Sequence, residues 1–85
     1  MSKSAFTDAH RVMVAIMAQT RRDVGLHQAE LAQLIGKDQS FISNIERGQR
    51  RVDIIEFIAI TRAMGVDPVD IFRRINTNTS SNISI

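Results

Sequence analysis

The stretch that decides the fold is QAELAQLIGKDQSFISNI, residues 28–45. Counted from its first residue, a small side chain (Ala32) stands at the fifth position and a glycine (Gly36) at the ninth. Two helices that cross steeply over a short turn need a small residue where they approach and a glycine where the chain turns. Ile42 and Ile45 lie three apart, so both would face the body of the domain. The spacing predicts a helix-turn-helix unit, the alternative being a helical hairpin that merely packs.

Caps and glycines outside this unit predict three further helices and therefore an all-α, compact five-helix domain. The predicted helices run from Asp8 to Asp23, from Gln28 to the glycine Gly36, from the N-cap Asp38 to Glu46, from the cap Asp53 to Gly65, and from Asp67-Pro68 to Ile75. The domain organisation that follows is a flexible N-terminus over 1–7, the helix-turn-helix domain over 8–75, and a disordered polar tail over 76–85.

The composition excludes several classes of protein. The chain has 85 residues, 44% of them hydrophobic and 24% charged, which is typical of one small globular domain. It has no cysteine, so a disulfide scaffold and a thiolate metal site are excluded. Neither a signal peptide nor an apolar run of about 20 residues is present. We therefore expect a cytoplasmic protein without membrane contact. Because the sequence shows no catalytic or metal-ligand grouping, we also expect no enzyme activity, cofactor, metal or small-molecule ligand.

The polar side of the third predicted helix carries short hydrogen-bonding side chains, namely those of Gln39, Ser40, Ser43 and Asn44. Glutamine and asparagine amides can pair with adenine in the major groove, and serine can donate or accept. The net charge of the chain is only +2, but residues 37–51 hold four basic side chains against two acidic ones. These features favour base readout of DNA over the alternative, a helix face that is merely solvated.

The segment HQAELAQLIGKDQSFISNIERGQRR resembles the helix-turn-helix of the phage repressor and Cro-like (Xre) family of bacterial transcriptional regulators. The shared marks are residues 28–32, the Gly36 turn, Ile42-Ser43 and the ending Glu46-Arg47-Gly48, with a further likeness at 63–66. The resemblance implies binding to operator DNA as a symmetric homodimer, with Gln39, Ser40 and Asn44 at the principal base-reading positions. It also implies a structural ion pair between Arg21 and Glu46.

Contacts to DNA phosphates are expected from the start of the second helix and from the basic segment around the third. Such contacts fix the register of a protein on DNA without reading its sequence. The predicted set is Gln28, Lys37, Arg47, Gln49, Arg50 and Arg51.

Phe41 is expected to pack against the domain, the alternative being contact with a thymine methyl or a sugar. His10 and His27 are interpreted as ordinary surface residues.

The fifth helix is the expected dimer interface, through Ile71, Phe72 and Ile75, aided by the end of the fourth helix. The alternative for Ile71 and Phe72 is the monomer core, which is expected to take at least one of them. We predict a palindromic operator and a location at the nucleoid when the protein is bound to DNA. Controller proteins of restriction–modification systems are one candidate role. An antitoxin, or a protein-interaction adaptor that retains the fold without sequence readout, is the alternative.

Overall fold

The computed structural model describes residues 7–83, and within them it contains five helices and no strand. The helices are α1 (Asp8–Asp23), α2 (Gln28–Leu34), α3 (Gln39–Glu46), α4 (Ile54–Ala63) and α5 (Pro68–Asn78). The predicted all-α, five-helix fold is therefore confirmed. The flexible N-terminus predicted over 1–7 lies outside the described residues except for Thr7, whose side chain caps α1 by accepting the His10 N–H.

The turns on either side of α3 are both closed by a glycine of positive φ. After α2, Gly36 has a φ of +71° and its N–H donates to the Gln33 carbonyl, while the Lys37 N–H reaches back to the Ala32 carbonyl. After α3, Gly48 has a φ of +74°. No atom lies within 4 Å of the Cβ that a residue at Gly36 would carry, so the backbone conformation and not space favours glycine there.

The core lies where α1 packs on α3 and α5, and where α4 packs on α2 and α5. Its buried side chains come from all five helices: Met17, Leu31, Ala32, Ile42, Ile45, Phe57, Ile60, Met64 and Ile71. Full burial of one such side chain contributes about 1.5–3 kcal/mol. The core therefore holds α3 through its inner side and leaves its outer side available.

The fifth helix corrects two predictions. Ile71 is 4% exposed and belongs to the monomer core, so its assignment to a dimer interface is wrong. The helix also continues three residues beyond Ile75, to Asn78, where the tail was expected to be disordered. The Asn78 amide donates to the Arg74 carbonyl, and the Thr79 hydroxyl donates to the Ile75 carbonyl. These bonds extend the helix, and residues 79–83 follow as an irregular segment.

Candidate nucleic-acid interface

The outer side of α3 presents the polar side chains that the sequence singled out. Gln39 and Ser40 are exposed, and Ser43 and Asn44 are half-buried. On the inner side, Ile42 and Ile45 are each 2% exposed. Because these isoleucines are fixed in the core, the polar side of α3 is held at a constant orientation relative to the rest of the domain.

A buried ion pair ties the end of α1 to the end of α3. Arg21 Nε donates to Glu46 Oε2 at 2.7 Å and Arg21 Nη2 donates to Glu46 Oε1 at 3.0 Å, while Nη1 donates to the Leu26 carbonyl. The two side chains are only 10% and 12% exposed. These are the two residues that the resemblance pairs. A two-point bond of this kind fixes both the distance and the angle between the helices.

Hydrogen bonds continue from this ion pair to the first residue of α3. Gln28 Nε2 donates to Glu46 Oε1 at 2.8 Å, and Gln28 Oε1 accepts from Gln39 Nε2 at 3.3 Å. The Gln28 amide, expected to contact phosphate, is therefore engaged within the protein. Its bond to Gln39 orients the amide of that residue, leaving the carbonyl oxygen and one N–H of Gln39 for a ligand.

Asn44 and Arg47, expected to have separate roles, are joined in the structure. Arg47 Nη2 donates to Asn44 Oδ1, three residues back on the same side of the helix. The bond directs the asparagine Oδ1 toward Arg47. A substitution at Arg47 is therefore expected to disturb the orientation of Asn44 as well.

Phe41 packs against the core cluster, as the sequence predicted, and two cations lie over its ring. Lys37 Nζ is 5.3 Å from the ring centroid and Arg50 Cζ is 4.4 Å from it. Contacts of a cation with an aromatic face at these distances are attractive. Lys37 of the turn before α3 and Arg50 of the loop after α3 therefore meet at the Phe41 ring.

Arg50 is also paired with Glu56 in the first turn of α4. Its Nη1 and Nη2 donate to Glu56 Oε1 and Oε2, both at 2.9 Å, and Nη1 also donates to the Arg51 carbonyl. These bonds from Arg50, followed by the backbone N–H of Asp53, lower the pKa of Glu56 below its ordinary value. The same pairing raises the pKa of Arg50. Sequence reasoning placed Arg50 among the phosphate contacts and missed this pair.

Exposure divides the six predicted phosphate-contact residues. Gln28 and Arg50 are half-buried, whereas Lys37, Arg47, Gln49 and Arg51 are exposed. Arg51 borders a cleft between α1 and α5 that Phe72 and Ile75 also line. The arginines at 50 and 51 therefore diverge, one toward α4 and the other toward α1.

His10 borders the same cleft and is only 8% exposed, so its interpretation as an ordinary surface residue is wrong. Burial, and after it the charge of Arg51, lowers the pKa of His10 below its usual 6.5. The sequence placed His10 on α1 but could not show that the folded domain buries it. Across residues 7–83 no cluster of histidine and carboxylate side chains is suited to hold a metal ion. In the same range no helix is long and apolar enough to span a membrane.

An exposed apolar surface joins the start of α4 to the start of α5. Its exposed or half-buried members, here called the α4–α5 apolar surface, are Ile54, Ile58, Pro68, Val69 and Phe72. Phe72, which the sequence assigned to a dimer interface, lies on it and is 57% exposed. Ile75 lines the separate cleft beside α1. The fourth helix contributes its start to this surface, through Ile54 and Ile58. The end of that helix, which the sequence expected to aid the dimer, lies outside the surface.

Comparison with known proteins agrees with this architecture. A family model described as "Helix-turn-helix" matches residues 17–71. An uncharacterized HTH-type transcriptional regulator of Sinorhizobium fredii is 31% identical over 64 residues, which is 75% of this chain and 83% of that protein.

Two solved structures combine a similar fold with an identity of 30% or more. An XRE-family like protein from Pseudomonas syringae pv. tomato has 32% identity and a TM-score of 0.79, over 85% of this chain and 88% of that one. The restriction-modification controller protein C.AhdI from Aeromonas hydrophila has 30% identity and a TM-score of 0.69, over 79% of this chain and 100% of that one. The protein therefore belongs to the Xre family of DNA-binding helix-turn-helix transcriptional regulators.

Proposed function

We propose that this protein is a sequence-specific regulator of transcription that binds a palindromic DNA operator as a homodimer, with α3 in the major groove. The observation that carries the proposal is the two-sided character of α3. Its inner side is fixed by Ile42, Ile45 and the Arg21–Glu46 ion pair, and its outer side offers Gln39, Ser40, Ser43 and Asn44. Such rigid support is what base readout needs, because a bidentate contact tolerates little displacement.

Base readout would fall to the four outward side chains of α3. Gln39, whose Nε2 already donates to Gln28, retains its carbonyl oxygen and one N–H, the pair of groups that matches adenine N6 and N7. Asn44 keeps both N–H groups of its amide, because its bond with Arg47 uses the oxygen. These two amides would carry most of the sequence preference, since serine accepts several partners.

Phosphate contacts would come from the four exposed members of the predicted set, Lys37, Arg47, Gln49 and Arg51. Lys37 precedes α3 and the others follow it, so the polar side of α3 would lie between two lines of backbone contacts. These contacts would provide affinity that depends on salt and would hold α3 in register.

The α4–α5 apolar surface would form the homodimer interface. Ile54, Val69 and Phe72 are each more than half exposed, and a two-fold contact would bury this surface against its own copy. Two copies of α3 related by that axis would read two half-sites of opposite orientation, which is why the operator would be palindromic.

Selection of bound duplexes from a random pool at physiological salt tests the readout. We expect a palindromic motif to be enriched, because two identical recognition helices read its halves. An adaptor that keeps only the fold would retain duplexes without preference. Absence of any enriched sequence would therefore reject the proposal.

A pair of variants tests the division between base readout and phosphate contact. Asn44→Ala should change the preferred base at one position of each half-site, because one amide is removed from the groove. Lys37→Gln should weaken binding to all duplexes and reduce the salt slope by about 0.9 per protomer. Both are measured by repeating the selection and by titration at several salt concentrations. If the two variants changed the same property, the division would fail.

The dimer is tested by sedimentation equilibrium of Phe72→Glu. A charge on the α4–α5 apolar surface should convert dimer to monomer, because burying an unpaired carboxylate costs several kcal/mol, roughly enough to abolish association. Leu34→Glu is the matched control: Leu34 is 60% exposed but lies on α2, outside this surface. Dissociation by the control, or an unchanged dimer in Phe72→Glu, would place the interface elsewhere.

A further inference from the structure

Arg50 makes contacts with three parts of the structure around the third helix. Its guanidinium lies over the Phe41 ring of α3, 4.4 Å from the centroid, and donates to the Arg51 carbonyl within the loop. It also makes two parallel bonds to Glu56 of α4. One planar cation thus connects the recognition helix, the loop that follows it and the next helix. Arginine suits this position because its guanidinium can donate two parallel hydrogen bonds in its plane while its flat face lies on an aromatic ring.

Glu56 is itself fixed by the backbone, which makes the connection rigid. Its Oε1 accepts the Asp53 N–H, and its own N–H donates to Asp53 Oδ1, so that it closes the N-terminal cap of α4. A carboxylate held in a reciprocal cap has little rotational freedom. Arg50 is therefore bonded to an acceptor whose position is set by the start of α4.

Arg50 holds a loop, residues 47–53, that contains three of the exposed side chains assigned to phosphates: Arg47, Gln49 and Arg51. Gln49 and Arg51 are its immediate neighbours in sequence, and both are exposed while Arg50 is half-buried. A phosphate contact needs its donor at a defined distance from α3, because the DNA backbone lies at a fixed distance from the groove floor. The residue that sets the loop conformation therefore determines whether its neighbours reach the backbone.

We propose that Arg50 is a positioning residue, which through Glu56 and Phe41 holds the loop at residues 47–53 in its DNA-binding conformation and does not itself bind phosphate. The inference rests on the proposed function, because it assumes that α3 and this loop contact DNA. It replaces the sequence-based assignment of Arg50 to the phosphate contacts.

The two roles predict opposite effects for Glu56→Gln. If Arg50 bound phosphate, removal of the competing carboxylate would release the guanidinium for the DNA backbone, so DNA binding would become tighter. If Arg50 positions the loop, loss of the carboxylate weakens its anchor, and binding to the selected duplex becomes weaker. The direction of this one change separates the two roles.

The experiment measures affinity and salt slope for wild type, Arg50→Met, Arg50→Lys, Glu56→Gln and the double variant Arg50→Met/Glu56→Gln. The probes are the duplex that wild type enriches from a random pool and a scrambled duplex, and circular dichroism sets a temperature at which every variant is folded. We expect each single variant to bind the selected duplex about two- to fivefold more weakly, the range of a partly exposed ion pair. Arg50→Lys should fail to rescue, because one ammonium cannot replace the two parallel bonds.

Two readouts distinguish positioning from a general loss of stability or of charge. The salt slope should stay at the wild-type value in Arg50→Met, whereas in the control Lys37→Gln it should fall by about 0.9 per protomer. The double variant should bind no more weakly than either single variant, because both substitutions break the same connection.

Three results would overturn the inference: tighter binding by Glu56→Gln, a reduced slope in Arg50→Met, or wild-type affinity in Arg50→Lys. In each case wild type still selects a sequence, so the proposed function stands and only the role of Arg50 is rejected. If wild type selected no sequence, the proposed function and this inference would be rejected together.

Discussion

The domain contains two arginine–glutamate pairs of the same chemistry in different surroundings. Arg21 and Glu46 join α1 to α3 with donor–acceptor distances of 2.7 and 3.0 Å, and their side chains are 10% and 12% exposed. Arg50 and Glu56 join the following loop to α4 with two distances of 2.9 Å, but are 40% and 24% exposed. Bond geometry is therefore nearly equal, and solvent access is the main difference.

Because the two pairs differ in burial, they have different roles in the structure. In the buried pair both charges have lost most of their hydration, so each depends on the other and separating them carries a large cost. In the partly exposed pair, Arg50 and Glu56, water can replace either partner, so the bond directs the loop without contributing much to stability. The recognition helix is thus held by a contact that is largely shielded from solvent, whereas the loop beside it is held by a contact that salt or acid can weaken.

The largest expected effect is that of breaking the buried pair. Arg21→Ala leaves the Glu46 carboxylate buried, with Gln28 as its remaining side-chain donor among residues 7–83. The substitution should lower the unfolding free energy by about 3–5 kcal/mol. Urea denaturation measures the loss. Arg22→Ala is the matched control: the neighbouring arginine is exposed and bonds only to Gln19 among the contacts described, so about 0.5 kcal/mol or less is expected. Equal losses in the two variants would show that the pair does not hold α3.

The Arg21–Glu46 pair and the helices could be predicted from the sequence, because the constraints that create them are local or recur within a family. Asp53 with Glu56 predicted a capped helix, and the structure has both reciprocal bonds. Gly36 predicted the turn between α2 and α3, and it has positive φ. The Arg21–Glu46 contact was reached through resemblance only, since 25 residues separate the partners along the chain.

The Arg50–Glu56 pair was missed, and only Phe72 of the α4–α5 apolar surface was anticipated, because both features depend on how elements are rotated. Arg50 and Glu56 are six residues apart across a loop, and no periodicity relates their side chains. Ile71 and Phe72 are adjacent and both apolar, yet the rotation of α5 buries the first and exposes the second. The sequence did indicate some exposed apolar surface at the start of α4. Ile54 and Ile55 are adjacent, and successive helical residues point about 100° apart, so both cannot face the core fully.

Salt should lower the coupling energy of the two pairs to different extents. A double-mutant cycle on Arg50 and Glu56 should give a coupling energy of about 0.5–1 kcal/mol at low salt and clearly less at about 1 M, where screening acts within roughly 3 Å. The cycle on Arg21 and Glu46 should change little, because ions do not reach a buried pair. Urea denaturation of each set at both salt concentrations provides the data. Equal salt sensitivity would mean that burial is not the relevant difference.

The smallest expected effect is the response of the exposed pair to acid. Because the pKa of Glu56 is lowered in the folded protein from its ordinary 4.5, the unfolded state binds more protons between the two values. The stability that Glu56 contributes is therefore complete above about pH 5.5 and is lost as the pH falls through the lowered pKa. The difference in unfolding free energy between wild type and Glu56→Gln should stay constant near neutrality and shrink below the ordinary pKa of glutamate.

Repeating this comparison with Arg50→Met in the background identifies the source of the response. Arg50 is the largest cause of the lowered pKa of Glu56, so its removal should reduce the acid-dependent difference. A smaller part should persist, because the Asp53 N–H still donates to the carboxylate. Complete persistence would show that the helix cap alone holds the charge of Glu56. In that case the arginine would not be firmly bound to α4, and its proposed control of the loop would lose its physical basis.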